Sequence, residues 1–317
     1  MNSMKSIVVL GDVMLDIFHH GTSNRLNPES SAPLLTIDRT EFKIWWAWNV
    51  ANNLAELGVH TILIGAVGKD VYAKELRDLL KYWRIELAQV EASENTTVKV
   101  RLIDHRVSYW QAARFDINGH AKLKEHHKEY IIKTILDSKC EYVIVSDYEK
   151  WMVTKELIDL VLQAWKKAGF KVIADAKPNH IEFFENCFLI KPNFKEFEDI
   201  IGQQIPNEDK DIKLHGIALA KRLNTNVLIT RWPQWASFIS KTGKCEHLKT
   251  EAKAVFDVTG AGDTFIAVLT YWLSAGMDII DAIKLGNKAA GISVGKTGTA
   301  VVTKKELWLE IEPYMWS

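Results

Sequence analysis

The sequence predicts an α/β fold: a three-layer αβα sandwich with a central, mostly parallel sheet and a small projecting β-sheet lid. Three observations carry this prediction. Short β-branched runs recur without polar alternation, the pattern of strands buried on both faces. Helical stretches separate most of these runs, and that alternation builds parallel sheets. Two further segments alternate apolar with polar residues, which assigns them to a sheet with one face toward water.

The first run, residues 6–10, ends in Gly11-Asp12 and predicts a central strand. Similar runs follow at residues 61–65, 142–146, 171–174, 188–190 and 227–230, and helices are expected over residues 74–82 and 155–167. Residues 34–44 and 97–116 read differently: Val98, Val100 and Leu102 alternate with polar residues before a break at Asp104-His105-Arg106. They are expected to form a half-exposed antiparallel sheet over a ligand, with lid segments at about 32–45 and 97–117 inside a single domain spanning residues 1–317. Two helices, residues 263–275 and 279–294, fill most of the C-terminal third. No repeat, low-complexity tract or long linker interrupts this order.

Of the 317 residues, 47% are hydrophobic and 25% charged, a balance that supports a sizeable buried core. Forty basic residues cancel forty acidic ones, so no overall field draws the chain to nucleic acid or to an anionic membrane. Cys140, Cys187 and Cys245 form no CxxC pair and read as free thiols rather than a disulfide framework or zinc ribbon. The N-terminal apolar run extends for only about five residues, too short for a signal sequence or membrane span, and a cytoplasmic location is expected.

The chemistry concentrates in Asp257-Val258-Thr259-Gly260-Ala261-Gly262-Asp263-Thr264-Phe265, a glycine-rich turn leading into an apolar helix. Gly260 and Gly262 permit positive φ and close approach, so that successive N–H groups point at one anion while the helix start adds partial positive charge. Asp263, at the mouth of this cradle, is placed to take a proton from an attacking hydroxyl. Taken alone, the same aspartate reads more readily as a helix cap.

The remaining motifs, in order, turn that choice toward chemistry. Gly11-Asp12-Val13-Met14-Leu15-Asp16, Asn49 with Val50-Ala51, Lys191-Pro192-Asn193-Phe194-Lys195-Glu196 and the Asp257 to Asp263 run resemble the signatures of the PfkB, or ribokinase-like, carbohydrate kinases. Ser146-Asp147-Tyr148, Asp175-Ala176-Lys177-Pro178 and Gly291-Ile292-Ser293-Val294-Gly295-Lys296 are, within that family, most similar to bacterial D-glycero-β-D-manno-heptose-7-phosphate kinases. The resemblance covers nearly the whole chain and implies a ribokinase-like fold and transfer of the ATP γ-phosphate to the C1 hydroxyl of a heptose 7-phosphate, with Mg2+. Some of these kinases continue into a nucleotidyltransferase domain, and none is expected within these 317 residues.

The resemblance also implies roles. Asp263 is the base, and Gly260, Ala261 and Gly262 are the amide donors. Asp12, Asp16 and Asn49 meet sugar hydroxyls; Lys177 and Lys191 hold phosphate as point charges; Arg114 on the lid grips the substrate's own phosphate. Asn193 and Glu196 organise magnesium through its waters, Thr230 and Arg231 contact the nucleotide together with Gly262, and Asn287 borders the adenine. Each residue alone has a plainer reading as a cap, turn or surface charge. A homodimer through the lids is expected, because exposed sheet faces and edges tend to be covered. Another sugar or nucleoside kinase of the same fold is the nearest rival, and a non-catalytic nucleotide- or sugar-binding homologue the more distant one. A dinucleotide oxidoreductase is disfavoured, since no GxGxxG follows the first strand.

Tryptophan breaks the pattern. The chain has 12 Trp against 17 Gly. Trp45-Trp46-Ala47-Trp48-Asn49 stands where the family reads Gly-Gly-Ala-x-Asn, Lys150-Trp151 stands for Lys-Gly, and Trp232 and Trp235 fall where glycines adjoin the nucleotide; Trp110 is a further case. These indoles stack on a sugar, or belong to a diverged core, or fill the pockets. Their clustering at ligand-facing positions favours the last, so weak or absent catalysis in this chain is the expectation.

Overall fold

The structure is a computed structural model and describes residues 6–29, 32–92, 94–106, 110–120, 122–231, 235–249, 260–296 and 301–307. In chain order the first half holds β1 (Ile7–Gly11), β2 (Val13–Leu26), β3 (Pro33–Trp46), α1 (Ala47–Glu56), β4 (Thr61–Ala66), α2 (Val71–Tyr82), β5 (Glu86–Val90), β6 (Val98–Asp104), β7 (Trp110–Ile117) and α3 (Glu125–Asp137). The second half continues with β8 (Tyr142–Ser146), α4 (Lys155–Ala168), β9 (Lys171–Asp175), a 3-10 turn (Pro178–Phe184), β10 (Leu189–Ile190), α5 (Phe194–Ile201) and α6 (Asp209–Leu223). It closes with β11 (Asn226–Arg231), β12 (Trp235–Ile239), β13 (Cys245–Lys249), α7 (Ala261–Ser274) and α8 (Ile279–Ser293).

The apolar runs form the large sheet, ordered β13-β12-β11-β10-β9-β8-β1-β4-β5. β1 is wholly buried at its centre: Ile7 and Val9 join the core on one face with α1, α2, α7 and α8, while Val8 and Leu10 join the core on the other with α3, α4, α5 and α6. That two-sided burial explains why these strands carry no polar alternation. From β1 the chain builds outward through β4 and β5, then returns to the opposite side at β8, which makes the β1/β8 junction a topological switch point. The parallel strands leave their C-terminal ends there, at Gly11, Ser146 and Asp175. The antiparallel β12 and β13 and the strand β5 lie toward the sheet edges, and polar residues such as Ser237 and Glu246 hide them from a search for apolar runs.

The lid is a separate sheet ordered β3-β2-β6-β7. The expectation of a purely antiparallel lid built from two segments is corrected on two counts. β2, which the sequence reading did not include in the lid, is itself a 14-residue lid strand, and it pairs with β6 in parallel. Both run outward from the body in the same direction, so only the returning strands β3 and β7 are antiparallel to them. Leu15, Ile17, Val98 and Val100 pack into the body's core, while Asp16 and Phe18 alternate with them on the other lid face.

Candidate active site

Each element end at the switch point delivers one part of the site. β9 ends in Asp175, whose carboxylate pairs with Lys191 Nζ at 3.0 Å just after β10. Asn193 caps α5: its side chain accepts from the Glu196 N–H at 2.8 Å, and Glu196 Oε2 accepts from the Asn193 N–H at 3.0 Å. The other Glu196 oxygen accepts from Lys177 Nζ at 2.5 Å. Burial works against the Lys177 charge, but Glu196, Asp175 and Asp147 outweigh it and hold the ammonium above its ordinary range.

Gly260, at a left-handed φ of 79°, turns the chain into α7. Gly262 lies beside Lys191: a Cβ there would stand 3.4 Å from Nζ, in ordinary contact with it. Next along, in the first turn of α7, Asp263 is buried. Its Oδ2 accepts from Asn49 Nδ2 of α1 at 2.8 Å and its Oδ1 from the Tyr148 hydroxyl at 3.3 Å. Burial, helped by the nearby Asp175 charge, pushes the Asp263 carboxyl up to about 6 against the pull of Asn49, Lys191 and Tyr148. The Tyr148 hydroxyl is driven well above its usual range by burial and by Asp263, so it stays a donor.

Except for Asn49, which meets the site only through its bond to Asp263, these groups line a cavity of about 360 Å3, the size of a small-ligand site, together with Asp147, Thr230, Phe265 and Asn287. Two larger surface grooves, of about 1100 and 860 Å3, lie along β5 with α3 and below α4, and neither contains the glycine turn. Asp263, Gly260, Ala261, Gly262, Lys177, Asn193, Glu196, Thr230 and Asn287 are therefore brought together around one space. Asp175 and Tyr148 complete it; the sequence offered them only as parts of motifs, since their roles depend on pairing with Lys191 and Asp263.

Four expected ligand contacts are placed otherwise. Arg231 is fully buried away from the cavity, its guanidinium held by Asn207, Asp209 and Ser237, because alternation along β11 turns it to the face opposite Thr230. Asp12 spends its carboxylate on the N–H groups of Tyr148, Lys150, Trp151 and Met152, so it fixes the loop after β8 rather than offering free acceptors. Asp16 is sealed in a bidentate pair with Arg101, at 3.0 and 3.1 Å. Arg114 pairs with Asp116 on its own strand. Arg114 nevertheless stands opposite Arg101 in register, two residues from Lys99 across the ladder. Burial, then Arg114 and Arg101, lower the Lys99 charge affinity, the mark of crowded cations on one lid face. Asp257, Val258, Thr259 and Trp232 lie outside the described residues, as do the side chains of Trp110 and Trp235.

The sequence profile of the pfkB family carbohydrate kinases matches residues 46–306. The chain is 32% identical over 316 residues to a bifunctional protein HldE of Bradyrhizobium sp. and 34% identical over 304 residues to one of Pseudomonas syringae. These alignments cover 98% and 95% of this chain but 64% and 62% of the relatives, so the chain spans less than two thirds of their length. Among solved structures it is similar to phosphofructokinase-2 of Escherichia coli, with TM-score 0.80, 20% identity and 99% and 100% of the two chains covered. It is also similar to Arabidopsis thaliana ribokinase, with TM-score 0.74, 18% identity and 96% and 98% covered.

Proposed function

Since the chain belongs to the pfkB family of carbohydrate kinases and has their ribokinase-like fold, we propose that this ATP-dependent carbohydrate kinase phosphorylates the C1 hydroxyl of D-glycero-D-manno-heptose 7-phosphate. One observation carries the reading: a buried carboxylate with raised proton affinity, a glycine turn at a helix start and two lysines converge on one cavity. Asp263 accepts the proton of the attacking hydroxyl. The amides of Gly260, Ala261 and Gly262 and the Lys191 ammonium stabilise charge on the phosphoryl group in transit. Thr230 and Asn287 border the nucleotide. The acceptor is read as phosphorylated because Lys99 shares one lid face with Arg101 and Arg114, whose pairs with Asp16 and Asp116 a phosphate would have to join or displace.

The donors around the cavity, Asp175, Asn193 and Glu196, are oxygens suited to a hard divalent cation. Among the described residues no group of three His, Cys, Asp or Glu is arranged to hold an ion unaided. Glu196 and Asn193 would therefore hold magnesium through its waters; when bound, the ion neutralises charge on the phosphates of ATP. No described helix is long and apolar enough to cross a membrane; the cytoplasm, where ATP is supplied, is the proposed location. The relatives are named as bifunctional proteins, and the chain matches less than two thirds of their length.

The test is ADP formation with magnesium, ATP and a panel of sugars, including heptose 7-phosphate. Phosphorylation of the heptose above all others, lost in Asp263→Asn, supports the reading; preference for an unphosphorylated sugar or a nucleoside selects the rival kinase. Turnover in this chain is expected below the ordinary kinase range of roughly 1 to 100 per second. ATP binding with no transfer to any acceptor would favour a nucleotide-binding homologue, a second reading supported by the packing at Trp46.

A further inference from the structure

The chain enters α1 through Trp46, whose φ of 68° and ψ of −126° fall in the mirror-image region that glycine alone occupies without strain. The indole is buried and stacks on the Tyr148 ring, with centroids 5.1 Å apart and planes 18° from parallel. Lys99 of the lid lies over the same indole, its Nζ 5.3 Å from the centroid. Tyr148 in turn donates to Asp263, so the stack fixes the group that occupies the base. Between Asp12, Trp46, Thr97, Lys150 and Trp151, at the root of the lid, there remains a void of about 10 Å3. It has room for one water and none for a sugar. Tyr148 and Asp263 meanwhile line the open cavity of about 360 Å3.

We infer that position 46 is built for glycine and that the Trp46 indole closes the acceptor side of the cleft while leaving the nucleotide side open. The inference rests on the kinase reading and adds the residue that limits acceptor entry. Trp48, two positions on, is a different case: it is buried in the core, edge-on to Trp83 with ring centroids 6.4 Å apart, and does not line the cleft.

The experiment compares the full chain with Trp46→Gly and Trp46→Ala by circular dichroism, ATP titration calorimetry and ADP formation with heptose 7-phosphate. Trp46→Gly is expected to raise kcat/KM for the acceptor at least about tenfold with ATP affinity unchanged, because it removes both bulk and backbone strain. Trp46→Ala removes the bulk but keeps a Cβ at positive φ; a rise there too assigns the effect to the indole, and it decides the matter by the same readout if the glycine variant does not fold. A folded variant that binds ATP like the parent and turns over no faster overturns the inference. Failure of parent and variants alike to bind ATP sinks the kinase reading itself, and this inference with it. Peptide mass spectrometry of the protein from its own cells adds an independent reading, since the codon UGA specifies tryptophan in some genetic codes and glycine in others. A tryptophan mass at position 46 supports the closed cleft, and a glycine mass overturns it for the native molecule.

Discussion

Asp263 must be ionised to act as a base, yet it is buried and its carboxyl is pushed up to about 6 from an ordinary 3.8. A carboxyl whose folded value is raised adds stability below the unfolded value, and that stability is lost as pH climbs through the folded one. At neutral pH the ionised group thus costs about 3 kcal/mol. Two outcomes are expected. The acceptor kcat/KM falls on the acid side with a limb near 6, read from a pH–rate profile. In urea unfolding at pH 7.5, Asp263→Asn is more stable than the parent by about 1 to 3 kcal/mol, and the gain shrinks below pH 6 as the parent takes up its proton. An alkaline-only profile with no stability gain would contradict the buried base. Asp12 teaches the complementary lesson: it reads in sequence as a sugar ligand, while four backbone N–H groups of one loop consume its carboxylate. Nothing local to Gly11-Asp12 announces this, because the donors lie between 136 and 140 residues away.

α5 starts on a reciprocal cap between Asn193 and Glu196, so the pair that resembled a magnesium motif also holds a helix end. Asn193→Ala is expected to lower stability by about 1 kcal/mol in urea unfolding with an unchanged m-value, and to free Glu196 from the start of α5. No loss of stability would leave the cap without energetic weight. α1 and α7 are tied by the Asn49–Asp263 bond, so the helix that starts at the strained Trp46 also holds the proposed base. The central strands of the body were legible because burial on both faces writes itself into local composition, whereas β5, β12 and β13 toward the sheet edges were not. β2 was not: its residues alternate inward Leu15 and Ile17 with Asp16 and Phe18, and the polar half reads as a loop until β3 and β6 are paired beside it.

The lid exposes apolar side chains, Ile37 on β3 and Phe115 on β7, on the two strands that end its sheet. Two lids covering each other would remove these edges and surfaces from water, and a homodimer is expected. Light scattering after size exclusion should give twice the 36.1 kDa chain mass at micromolar concentration; the single-chain mass throughout that range would exclude it.

Sequence by itself determined the α/β class of the body, its apolar central strands and the glycine turn at the start of α7, because each is a local pattern of burial or backbone freedom. Tertiary structure decided which charges are free and which are spent, and which tryptophans matter. Asp16 meets Arg101 across 85 residues and Asn49 meets Asp263 across 214, distances over which composition carries no signal. Of three clustered indoles, packing sends Trp48 into the core and sets Trp46 against Tyr148, since one residue's step between strand and helix decides which surface each ring must cover.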